Sequence, residues 1–143
     1  MRLNPPKSVQ EALSFDDPLS ALSGVVDENT PSGGAYRWAY VCILETNSAG
    51  LSILFDRYED TDLDQIEGAL EKIGALKTLS DLRVLRKAFD DAIALGFDRF
   101  DASDNLDKDP NLKGIIREYQ RHVEEMENLL VVFCKKHAHE LAG

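Results

Sequence analysis

The sequence is poor in the residues that secreted scaffolds and most enzyme centres depend on. It holds two cysteines, three histidines and one tryptophan among 143 residues. The cysteines, Cys42 and Cys134, both lie in apolar stretches, so they read as buried free thiols of a reducing compartment and not as a disulfide framework. His137 and His139 are two residues apart, which puts them on different sides of a helix. Cys134 with His137 supplies too few donors for zinc, which wants about four. No apolar run approaches the ~18 residues of a membrane span, and Met1 to Gln10 carries Pro5 and Pro6 in place of an apolar signal core. These absences point to a cytoplasmic protein that does not engage membranes. The Gly33–Gly34 pair lacks the lysine and hydroxyl residue of a phosphate loop. With no paired nucleophile and base and no ligand cluster, the sequence predicts neither an enzyme nor a cofactor.

Positive charge is the other shortage. The net charge is −10, and two blocks account for it: Asp56 to Glu71 has seven acids against Arg57, and Asp90 to Asp109 has seven acids against Arg99 and Lys108. Between them Lys77, Arg83, Arg86 and Lys87 oppose only Asp81. Direct nucleic-acid binding needs a basic footprint, so this balance excludes it and suits a basic protein partner.

What is abundant is helical periodicity. Leu63, Ile66, Leu70 and Ile73 recur at spacings of three and four, with Thr61 or Asp60 as the expected cap and Gly74 at the stop. A second stripe, Leu82, Leu85, Phe89, Ala92 and Ile93, predicts a helix from about Ser80 to Leu95. A third, from Leu112 through Tyr119, Val123, Met126 and Leu130 to Phe133, predicts the longest helix, capped by Asp109 with Pro110 in its first turn. An apolar helix is expected over Ala35 to Glu45 and shorter ones near Lys7 to Phe15, Pro18 to Val26 and Leu51 to Tyr58. The expectation is an all-α, single compact domain of about five to seven helices. Residues 1–34 form an arm and connector, with Asn29 to Gly34 as a loop, and residues 35–143 form the body.

Two acidic patterns need separating from chance. Asp107, Asp109, Asn111 and Glu118 fall at EF-hand spacings, but the glycine of the sixth position is Leu112, so no calcium site is expected. Glu118 and His122, four apart, read as a surface link instead of metal ligands. Asp60, Asp64, Glu67 and Glu71 recur at four, three and four, forming one helical stripe beside the apolar face. Neighbours along it rise by about 4.5–6 Å, wider than the ~3.4 Å axial spacing of phosphates on one DNA strand, so one stripe resembles a sparse strand of phosphates and imitation needs two or more. Asp98, Asp101, Asp104 and Asp107 could supply a second stripe.

Residues 45–57 carry a family signal. Glu45-Thr46-Asn47-Ser48-Ala49-Gly50-Leu51-Ser52-Ile53-Leu54-Phe55 resembles the signature of the bacterial DNA-mimic protein family, and the run ending Ile73-Gly74-Ala75 resembles its next segment. Glu45, Asn47, Gly50 and Phe55 match directly, while Ala49, Ile53 and Arg57 stand where the family has glycine, glutamine and asparagine. The resemblance implies a small acidic all-helical domain that occupies the basic groove of a DNA-binding regulator, and it makes a homodimer plausible. An immunity-type protein that plugs a basic nuclease toxin is the alternative partner class. Physically, Asn47 and Gly50 read as a tight corner, with Glu45 free to cap the next helix. A Glu45–Asn47 polar cluster lining a ligand pocket is the remaining alternative.

Overall fold

The computed structural model describes residues 5–143, so residues 1–4 of the stretch read for a signal core lie outside it. Nine helices and no strand occur among the described residues: α1 (Val9–Leu13), α2 (Pro18–Leu22), α3 (Pro31–Ala49), α4 (Ser52–Arg57), α5 (Asp60–Ile73), α6 (Leu76–Ala94), α7 (Arg99–Lys108), α8 (Lys113–Lys136) and α9 (Ala138–Leu141). The fold is all-α, as the apolar spacings predict. Among the described residues, no helix is long and apolar enough to cross a membrane.

α3 is the central element, packed against α5, α8, α4 and α9. It starts earlier and ends later than its apolar content suggests. Thr30 is the cap, its hydroxyl accepting from the Gly33 amide at 3.0 Å, and Pro31 takes the first helical position. The supposed loop Asn29 to Gly34 is therefore largely the first turn of a helix. Gly33 is there because the Asp27–Thr30 turn presses on it: a methyl at Gly33 would overlap the Asp27 carbonyl. At the other end Asn47 and Ser48 remain helical, and only Gly50, at φ 85°, makes the corner.

The arm is not separate from the body. Val9, Ala12, Leu19 and Leu22 are buried in the same core as Leu63, Leu85 and Met126. Tyr36 of α3 donates from its hydroxyl to the Leu19 carbonyl at 2.5 Å, tying α2 down. The chain's other end returns to the same place: the Glu140 carboxylate accepts from the Ser32 amide at 3.1 Å and from its hydroxyl at 2.5 Å, which holds that carboxyl below its ordinary range. It thereby fills the donor-rich start of α3.

Three boundaries differ from the periodicity reading. α5 is capped by Glu59, whose amide donates to the Asp62 carboxylate at 3.3 Å, one residue ahead of Asp60 and two ahead of Thr61. α6 begins at Leu76, because Thr78 and Leu79 extend the buried stripe by a turn. Asp109 does not cap α8. It closes α7, its carboxylate accepts from the Asn111 amide at 2.9 Å, and α8 starts only at Lys113. Both cysteines are free and buried, and burial pushes the thiols up, Cys42 to about 11 and Cys134 to about 12.

Candidate protein-interaction surface

The acidic stripe of α5 faces the basic segment that follows it. α5 and α6 form a hairpin through Gly74, whose left-handed conformation lets the Ala75 amide reach the Leu70 carbonyl at 2.9 Å. That turn lays Arg83 and Arg86 across Asp60, Asp64 and Glu67. One guanidinium, Arg86, bonds Asp64 at 2.8 Å, pairs closely with Glu67 and reaches Asp60 at 3.6 Å, while Arg83 holds Glu67 at 3.0 Å. Three of the four stripe carboxylates are thus committed to internal partners. Glu71, the fourth, is exposed and stands outside the Arg86 cluster. Sequence reading placed the acids on one stripe and the bases between the blocks, but it did not fold one onto the other.

The second block is organised by α7, a helix the apolar pattern hid. Only Ala102, Ser103 and Leu106 are buried on it, so it has one short apolar strip among aspartates. The usable signal was Asp98 as a cap, accepting from the Asp101 amide at 2.8 Å, ahead of Ala102 and Leu106 four apart. Spacing by three slips about 60° per step on a helix. Asp101, Asp104 and Asp107 therefore fan round α7 and do not line up. Asp101 is exposed, and Asp104 is half-buried and paired with Lys108 at 2.7 Å.

The two blocks nevertheless meet. α7 packs on α4, with Phe55 of α4 stacked on Phe89 of α6 at 5.1 Å beneath the joint. Arg99 locks it, donating to the Phe55 carbonyl at 2.6 Å and to the Tyr58 carbonyl, with its guanidinium 5.2 Å from the Phe89 ring. It caps the open carbonyls of α4. Asp56 and Asp104 consequently line one shallow depression of about 110 Å³ with Ser52, Ile53, Phe100 and Ser103. Asp90 of the second block is raised above the usual carboxylate range by burial and then by the charge of Asp60 from the first.

The motif residues of the family resemblance fall at different places in the fold. No family model, curated protein or solved structure matches the chain. Phe55 is in the core, and Gly50 and Gly74 make the two corners. Glu45 does not cap α4: Arg57, one of the three residues that depart from the family pattern, binds it at 2.9 and 3.2 Å. Asn47 turns elsewhere, donating to Glu127 of α8 at 3.2 Å. Glu45 and Asn47 therefore do not form one polar cluster, and the ligand-pocket alternative loses its geometry. Glu118 reaches His122 at 3.7 Å, the i,i+4 link that the spacing suggests, and also pairs closely with Arg121; His122 in addition meets Asp81 of α6 at 2.6 Å, a cross-helix contact that i,i+4 reasoning could not see. Among the described residues no group of three or more histidine, cysteine or carboxylate side chains converges as a metal site would.

Proposed function

We propose that the protein is a non-enzymatic binding module whose carboxylates engage a basic protein surface, of the kind that lines the groove of a DNA-binding regulator. The observation that carries this reading is the joining of the two acidic blocks across α4 and α7, where Asp56 and Asp104 line the same depression. Helix energetics supports it. Asp91 stands in the last turn of α6 with no base in that turn, against the helix dipole. Such a placement costs roughly 0.3–1 kcal/mol, softened by the Lys87–Asp91 pair at 3.1 Å. Negative charge retained against local stability is what a binding surface requires. The nuclease-toxin reading draws its support from exposed Leu95 and Phe100, since a close-fitting inhibitor buries apolar area that charge imitation alone does not need.

The test removes charge only where it is not internally bonded to arginine. Asp56→Asn with Asp91→Asn and Asp101→Asn should leave the helical spectrum and melting temperature nearly unchanged. Capture of a basic protein from native extract should be salt-dependent, strong near ~50 mM and lost near ~500 mM, where screening is within about 5 Å. The triple variant should fail at both. Equal capture by the variant at low salt would make the surface an ordinary solvated one.

A further inference from the structure

We propose that the α6–α7 corner is an apolar docking knob for an arginine- and leucine-bearing segment of a partner protein, an inference that rests on the basic-partner reading. Leu95 is 81% exposed, Phe100 65%, Phe97 45% and Ile93 37%, four large apolar side chains within eight residues. Local structure accounts for one of them. Gly96, at φ 103°, ends α6 with the Phe97 amide bonded to the Ala92 carbonyl at 3.2 Å and the Gly96 amide to Ile93 at 3.0 Å. In that motif the residue after the glycine folds back on the helix, which explains a half-covered Phe97. The same motif ends α5, and there the corresponding residue is the small, buried Ala75. Nothing in the motif calls for Leu95 or Phe100. Leu95 and Phe97 share one notch and Phe100 lines the neighbouring depression beside α4, and apolar exposure rimmed by polar groups marks an interaction site.

Charge decides the occupant. Asp98 and Asp101 line the same notch as Leu95 and Phe97, exposed Asp90 and Asp91 lie in the last turns of α6, and the adjoining Arg99 is turned inward onto α4. A second copy of the chain at this corner would bring two such carboxylate sets together and be repelled. A segment with apolar side chains flanked by arginine or lysine meets both demands. Between the apolar and acidic residues lies an open notch of about 350 Å³ lined by Leu95, Gly96, Phe97, Asp98 and Asp101. A guanidinium there can pair with carboxylate and lie against the Phe97 ring.

The test uses two labelled probes: a synthetic amphipathic peptide with leucine and arginine at helical spacing, and octa-arginine as charge alone. Fluorescence anisotropy is measured on the full chain, on Leu95→Ser, and on Asp90→Asn with Asp91→Asn and Asp101→Asn, each checked for helical content. The native chain should bind the leucine–arginine peptide about tenfold more tightly than octa-arginine. The serine variant should erase that margin while binding octa-arginine as before, because Leu95 is exposed and carries no charge. The asparagine variant should weaken both. No margin in the native chain, or a margin that survives in the serine variant, overturns the docking knob. Failure of octa-arginine to bind, with no effect of the asparagine changes, overturns the basic-partner reading itself.

Discussion

Phe55→Ala should destabilise the fold by about 3–5 kcal/mol, the range for deleting a buried aromatic side chain. Phe55 is fully buried, stacks on Phe89 and underlies the joint where α4 meets α7. The cavity would open beneath Arg99, whose bonds to the Phe55 and Tyr58 carbonyls hold α7 in register. Urea unfolding should show a large fall in midpoint. Hydrogen exchange should show α7 amides losing protection before those of α8. A loss under about 1 kcal/mol would mean that the α4–α7 joint is not part of the cooperative core.

Arg86→Met should cost about 2 kcal/mol while keeping the aliphatic contacts of the arginine stem. Removing one partner of a buried ion pair costs about 3–5 kcal/mol. Here the Arg86 and Glu67 side chains are 16% and 15% exposed, but those of Asp60 and Asp64 are 69% exposed, which discounts the figure. Without Arg86, three carboxylates are left facing one another, and added salt should restore part of the loss. Thermal melts at low and high ionic strength check both parts. The same geometry changes how the acidic stripe is to be probed. Because Asp60, Asp64 and Glu67 lie off the apolar stripe, sequence logic treats their reversal to lysine as harmless to the fold. In the structure those lysines would face Arg86 and Arg83, so any lost binding would be confounded with lost stability.

The fold class was legible because helix stripes are local. Leu63, Ile66, Leu70 and Ile73 announce α5 without reference to anything else, and each is buried as that spacing requires. α7 was not legible because a helix with little to bury leaves only a weak pattern: the seven aspartates of Asp90 to Asp109 outweigh Ala102 and Leu106. The start of α3 was obscured by reading Pro31, Gly33 and Gly34 as loop formers, although Thr30-Pro31 is itself a cap and first-turn pair. Of the candidate surface, the identity of the acids was readable and their pairing was not. Arg86 lies 22 residues from Asp64. Their contact depends on how the α5–α6 hairpin closes, which is tertiary information. Arg57 is the intermediate case. It could be seen as a departure from the family pattern, and its role as the partner of Glu45 emerged only with α4 in place.

The central claim is that the joined acidic surface around α4 and α7 receives a basic protein. The most direct measurement is site-specific photo-crosslinking in native extract, with the reactive group placed in turn at Asp56, Asp101 and Ser14, all exposed. Ser14 follows α1, an element packed against α2, α8 and α9. The account predicts that positions 56 and 101 trap the same protein, through peptides rich in lysine or arginine, and that position 14 does not. Adducts that form equally at position 14, or that carry no basic residues near the linked site, would contradict it.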